Sequence, residues 1–237
     1  MLMATSSAVT TQLIGEVLVI RVDDGKANAL TPDVIQSVSD ALTEGFEQAK
    51  AVTIIGREGK FSAGFDLKIM TSGVEQARDL LGAGAALGLK IFEAPVPVVL
   101  GVTGHALAMG GILTTCADYR VGADGPFKLG LNEVAIGMPV PIFGVELCRD
   151  RLSKRWFNQC VQTATLLTPH QAVEANYLDE VVSLEQVETR ALDVATNYAA
   201  SLHPSAFALT RKNCRAALAA RLRESLTADL ALFDVSA

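Results

Sequence analysis

Gly104-His105-Ala106-Leu107-Ala108-Met109-Gly110-Gly111 follows closely on the run Val96-Pro97-Val98-Val99-Leu100-Gly101-Val102. The Val-rich, uncharged run predicts a buried strand, and the small residues after it predict a tight junction where strand gives way to helix. Small residues at a helix start leave backbone NH groups uncovered, and the helix dipole favours negative charge there. A similar junction lies upstream at Phe61-Ser62-Ala63-Gly64-Phe65-Asp66-Leu67-Lys68. Downstream, Leu129-Gly130-Leu131-Asn132-Glu133-Val134-Ala135-Ile136-Gly137-Met138-Pro139 sets a single carboxylate in an apolar stretch. Lost hydration disfavours the ionised form of such a group and raises its pKa, which suits a proton shuttle near neutral pH. Taken alone, Glu133 reads equally well as a loop or helix-end glutamate capped by backbone amides, and each junction as a tight turn.

Outward from these segments, strands alternate with helices. Residues 11–14 and 17–22 predict a hairpin turned near Gly15-Glu16, and Thr31-Pro32-Asp33 a helix start with N-cap, Pro and first-turn acid. Val34, Ile35, Val38, Leu42 and Phe46 follow at helical spacing, and residues 51–56 read as a fully buried strand. A loop over 59–64, a helical region from Asp66, a helix over 74–92, a strand over 96–102, a helix to Ala117 and a strand over 118–123 come next. Beyond Pro139 the pattern is helical, over 141–152, 154–164, 168–175, 184–202 and 205–233. There is no linker and no low-complexity segment. The expectation is one α/β domain, with a core over 1–167 and a helical C-terminal region over 168–237.

The composition narrows the function classes. The chain has 237 residues, 50% hydrophobic and 19% charged, which suits a single well-buried domain. Mean hydropathy is +0.32, yet no apolar run reaches the roughly 18 residues a bilayer span needs. The surplus apolar surface is assigned to a subunit interface. A net charge of −6 without a basic cluster argues against nucleic acid. Cys116, Cys148, Cys160 and Cys214 show no CxxC spacing and read as small buried side chains in a reducing compartment. His105, His170 and His203 are dispersed, so no metal site is expected. Residues 1–11 lack the basic flank and apolar core of a signal peptide, and the expected location is cytoplasmic.

In order and spacing, the two junctions and Leu131-Asn132-Glu133 resemble the crotonase (enoyl-CoA hydratase/isomerase) superfamily. Lys26-Ala27-Asn28-Ala29-Leu30 upstream fits the same pattern, as do Thr168-Pro169-His170-Gln171-Ala172 and Leu178-Asp179-Glu180-Val181-Val182 downstream. The resemblance implies a crotonase-like spiral of ββα turns and a helical C-terminal region that assembles a homotrimer or a dimer of trimers. It implies an acyl-CoA thioester substrate, a place in fatty acid metabolism, and no separate cofactor, CoA being part of the substrate. It also implies an oxyanion hole formed by the backbone NH groups of Phe65 and Met109. Substrate contacts are implied along Ala63, Gly64, Phe65, Asp66 and Leu67 and from Ala27 and Asn132. Lys26 and Lys68 are candidates for the CoA phosphates, and read equally well as solvated lysines.

Hydratases of this family resemble one another in carrying two glutamates, and the position of the first is Ile112 here. One carboxylate without the other resembles the mitochondrial-type Δ3,Δ2-enoyl-CoA isomerases. Glu133 would remove a C2 proton, the oxyanion hole would hold the dienolate, and the same carboxyl would return the proton at C4. Met109 stands where a glycine is usual, so its side chain is expected to point away from the pocket or to narrow it. The end of the chain at Ala237 is expected to abbreviate the helix that covers the acyl pocket. The competing expectations are a hydratase (a lyase) that recruits Glu146, and a non-catalytic acyl-CoA-binding protein. A costly, partly buried carboxylate counts against the second. Thioesterase or dehalogenase chemistry would want an acid just past Gly137, and residues 138–145 contain none.

Overall fold

The hairpin forms as expected, with β1 (Val9–Ile14) and β2 (Val17–Val22) antiparallel and Ile14 opposite Val17. The structure, a computed structural model, describes residues 8–231; most of the 1–11 segment read for a leader, and Phe233, lie outside the described residues. After β2 the chain repeats one theme, a long strand, a short strand and then helix. The short strand β3 (Ala29–Leu30) precedes α1 (Pro32–Gln48), capped by the Thr31 side chain with Pro32 in its first turn. Then come β4 (Ala51–Ile55), β5 (Gly59–Ser62) and β6 (Gly64–Phe65), followed by α2 (Leu67–Met70) and α3 (Val74–Phe92). The next turn is β7 (Val98–Val102), β8 (Gly104–Leu107) and α4 (Met109–Cys116). The last is β9 (Tyr119–Ala123), β10 (Leu129–Gly130), a 3-10 turn at Val134–Ile136 and α5 (Ile142–Arg151).

The long strands form one six-stranded sheet, with β11 (Glu180–Val182) at its edge, in the order β1-β2-β4-β7-β9-β11. Every pair after the hairpin is parallel. The short strands build a second, parallel sheet β10-β8-β5 and the pair β3-β6. This is the spiral of ββα turns, and the second strand of each turn delivers the chain to the start of a helix.

The large sheet is covered on both faces, which explains its continuous apolar strands. Leu18, Ile20, Val52, Ile54, Val98 and Leu100 share one core with Val38 and Leu42 of α1 and Leu80 and Ile91 of α3. Val17, Val19, Ala51, Ile55 and Val99 point the other way, onto Val187, Ala191 and Ala195 of a later helix.

The C-terminal region adds α6 (Lys154–Val161), α7 (Pro169–Ala175), β11, α8 (Val187–Ser201) and α9 (Pro204–Ala231). Two sequence expectations need correction. The 59–64 loop is strand, because β5 and β6 pair with β8 and β3. The 168–237 region is not purely helical, since Glu180–Val182 joins the sheet beside β9 and α8 supplies the core of its second face. The last helix, α9, runs 28 residues. Its Leu230 carbonyl accepts from Arg78 Nε of α3 at 3.0 Å.

Candidate active site

The two glycine-rich junctions meet. Gly64 adopts φ +87, and a Cβ there would lie 2.8 Å from Ala108 Cβ and 3.2 Å from Met109 N. Only glycine permits both that backbone and that approach. Ala108, the N-cap of α4, sits at φ +50 and ψ −124, a region costly for a residue with a side chain. Its amide donates to Gly130 O at 3.0 Å, and the first intrahelical bond runs from Ile112 N to Ala108 O. The Met109 amide therefore has no partner within its own helix. Phe65, across the contact, is held in register opposite Leu30 of β3.

Both side chains at this junction turn inward. Met109 is fully buried, and its Cε lies within 3.7 Å of where Cβ atoms would stand at Gly84 and Gly88 of α3. The thioether is in the core, against α3. The Phe65 ring packs on Gly84.

Pairing of β10 with β8, Leu129 to Ala106 and Gly130 to Leu107, lays the next segment beside the start of α4. Leu129, Gly130 and Leu131 are buried, and Glu133 follows at 8% exposure, its carbonyl accepting from Ile136 N and Met138 N. Its Oε2 is buried without a hydrogen-bond partner, and so is Oδ1 of Asn132. Burial pushes the Glu133 carboxyl above the usual carboxylate range, against a smaller opposite pull from the amides of Glu133 and Asn132. Cys148 of α5 and Tyr177 stand within its electrostatic reach, linked to each other at 3.9 Å. Burial raises both of their pKa values, so the neighbours of the carboxyl are neutral.

Ile112 is 1% exposed, with Cδ1 2.7 Å from where a Cβ would stand at Gly144 of α5. The Ile112 side chain makes an apolar contact with α5 at this point. Glu146 on α5 is engaged by Arg149 at 3.0 Å.

The remaining residues expected at the site fall into one neighbourhood. Ala63 N donates to Ala27 O at 3.1 Å and Asp66 N to Leu30 O at 3.2 Å, joining the 26–30 and 63–67 segments. Asp66 caps α2 through Lys68 N and Ile69 N, so its carboxylate is committed to structure. Ala63, Leu67, Lys26 and Lys68 are exposed, while Ala27 is half-buried. Cys116, Cys148 and Cys160 are buried as expected, but Cys214 is exposed on α9. No cluster of His, Cys, Asp or Glu suited to a metal occurs among the described residues. An apolar cavity of about 30 Å³ lies behind Asn28 and Ser62, away from Glu133.

Asn28 organises this neighbourhood, a role its sequence position did not reveal. At φ +50 and 1% exposure, its Nδ2 donates to Val22 O at 2.7 Å, Lys60 O at 3.2 Å and Phe61 O at 3.3 Å. Its carbonyl accepts from Ser62 Oγ at 2.9 Å, and Ser62 Oγ accepts from Gly64 N at 3.1 Å. An asparagine between small residues looks like any turn, and only the fold shows that it ties two strands, β2 and β5.

The family model described as enoyl-CoA hydratase/isomerase matches residues 14–236. The chain belongs to that family. A Pseudomonas syringae enoyl-CoA hydratase/isomerase family protein superposes with a TM-score of 0.93 at 38% identity, over 96% of this chain and 98% of the other. A Mycobacterium tuberculosis protein, described as an enoyl-CoA isomerase in one structure, gives 0.90 at 35% identity over 94% and 98%. A second structure of it, described as a probable enoyl-CoA hydratase, gives 0.92 at 35% over 97% and 98%. Mouse mitochondrial enoyl-CoA delta isomerase 1 is 29% identical over 223 residues, 92% of this chain and 76% of the mouse protein. Crotonase-family membership and fold are thus shown. The names of relatives span isomerase and hydratase, so the reaction has to be argued from the site. No described helix is long and apolar enough to cross a membrane.

Proposed function

We propose that this chain is an enoyl-CoA double-bond isomerase that uses Glu133 as its single proton shuttle. The observation that carries the reading is the pairing of a buried, unpartnered Glu133 Oε2 with an apolar Ile112–Gly144 contact at the other glutamate position. Water addition needs one group to activate water and one to protonate carbon, and isoleucine can do neither. Double-bond migration needs one base, provided both carbons lie on its side of the substrate.

In this reading the amides of Phe65 and Met109 receive the thioester oxygen, and their donation strengthens as the dienolate forms. Glu133 takes the C2 proton and returns it at C4. The CoA moiety runs along Ala63 to Leu67 and past Ala27, with Lys26 and Lys68 near its phosphates, and Asn132 offers its unpartnered oxygen to the substrate. The acyl group meets Val134 and Ile136, which flank Glu133 in the chain and are 46% and 51% exposed. Assembly as a homotrimer or a dimer of trimers would cover exposed apolar side chains such as Leu13, Leu202 and Leu209.

The test is an assay of the purified protein with a 3-enoyl-CoA and a 2-enoyl-CoA, following isomerisation and hydration separately. The expected result is isomerisation, with hydration at least about 10²–10⁴-fold below that of a two-glutamate hydratase, the typical worth of one acid–base group. Hydration as fast as isomerisation would overturn the reading.

A further inference from the structure

Helix α4 carries the Met109 amide at one end, and its other end is held in a cluster of charges that the proposed chemistry does not use. All eight of its residues are buried, so its dipole is poorly screened. At the C-terminal end, Ala117 O accepts from Arg120 Nη1 at 3.2 Å and from Arg151 Nη2 at 2.9 Å. Cys116 O accepts from Arg215 Nη1 at 3.2 Å. Arg211 completes the group through Asp118, which also pairs with Arg215.

The side chains of Arg120 and Arg211 are 1% and 5% exposed. Two carboxylates face these four guanidiniums, Asp118 and Asp179, the latter 3.0 Å from Arg120 Nε. Cations therefore outnumber anions, and Arg151 Nε and Arg211 Nη1 are buried without acceptors. Three of the four arginines, Arg120 of β9, Arg151 of α5 and Arg215 of α9, bond carbonyls at this helix end, and Arg211 of α9 joins them through Asp118.

We propose that this arginine cluster is an electrostatic support for the oxyanion hole. It covers the negative end of α4 and places net positive charge on the axis of the helix whose first amide receives the thioester oxygen. Arg151 and Arg215 are then positioning residues for a reaction about 12–18 Å away, the helix span at about 1.5 Å rise per residue plus a hydrogen bond at each end. The inference rests on the reading of Phe65 and Met109 as the thioester site. One unit charge at that range, through an effective permittivity of about 20, changes a rate about fivefold to tenfold.

The test uses the whole protein with hexanoyl-CoA carrying ¹³C at the thioester carbonyl, read by isotope-edited infrared difference spectroscopy, and compares Arg151→Gln with Arg151→Lys. Gln can keep a hydrogen bond to Ala117 O without the charge, and Lys keeps the charge. In the wild type the bound carbonyl band is expected below that of the free thioester. Arg151→Gln is expected to move it back towards the free value and to lower isomerase kcat about fivefold to tenfold. KM and hexanoyl-CoA affinity should stay within about twofold, and Arg151→Lys should restore both band and kcat. If Arg151→Gln does not fold, Arg215→Gln and Arg215→Lys give the same comparison. A wild-type band position in the Gln variant, or equal losses in Gln and Lys, would overturn the proposal and leave the acyl-CoA reading intact. Absence of any bound band in the wild type would overturn both.

Discussion

At the scale of single residues, the site depends on groups held where they are individually unfavourable. Glu133 is the clearest, because burial raises its pKa above an ordinary value of 4.5. Between that value and the raised one the native state binds the extra proton, so stability falls as pH rises through the window. Glu133→Gln should therefore raise Tm at pH 7, and the gain should vanish below about pH 4.5. Thermal unfolding at several pH values checks this. The base must be ionised to act, so the acid limb of the wild-type isomerase profile should also lie above pH 4.5. Gly64 is a second such residue, since φ +87 and the 2.8 Å approach to Ala108 leave no room for a methyl group. Gly64→Ala should cost about 1–3 kcal/mol of stability and most of the turnover, measured by denaturant unfolding and the isomerase assay.

At the scale of elements, the 24–30 loop holds β5 and β6 against the start of α4. Asp24 accepts from the amides of Lys26, Asn28 and Ala29 at 2.7, 2.8 and 3.1 Å. Partial burial works to raise its pKa, but these amides and the Arg57 charge outweigh that and hold it below the ordinary 3.8. A lowered pKa gives stability that is present above the unfolded value and lost as pH falls through the folded one. Asp24→Asn should destabilise the fold at pH 7, with the deficit shrinking below about pH 4, as urea titrations at both pH values would show. Much of this scale was legible in the chain. The hairpin, α1 with its Thr31 cap, α3 over Val74–Phe92 and the buried β4 all carry strong local signals. The short strands β3, β6, β10 and β11 did not, because two or three residues show no periodicity and pairing across the fold defines them. The site divides the same way. Glu133 and the glycine-rich junctions stand out in sequence, whereas the inward turn of Met109, the reach of Asn28 and the arginines behind α4 exist only once distant segments pack.

At the scale of the whole molecule, the C-terminal region does more than extend the spiral. α8 covers one face of the large sheet, and Asp229 of α9 accepts from Ile142 N and Phe143 N at 2.5 and 3.0 Å, fastening the start of α5. That start leads to Gly144, where Ile112 packs, so the last helix bears on the wall of the site. Exposed Leu209 on the same helix is 61% accessible. Light scattering at micromolar concentration should give a species three times the 25.0 kDa chain mass, or a multiple of that. A stable species at 25.0 kDa would remove the trimer from the account.

The claim on which the rest turns is that one carboxylate carries the proton. Its most direct test is the isomerase kcat of Glu133→Gln, measured beside its affinity for an acyl-CoA. The amide keeps the shape and hydrogen-bonding capacity of the side chain but cannot accept a proton from carbon. The account predicts a kcat lower by about 10²–10⁴-fold with acyl-CoA affinity nearly unchanged. A variant that keeps most of its isomerase activity would contradict it.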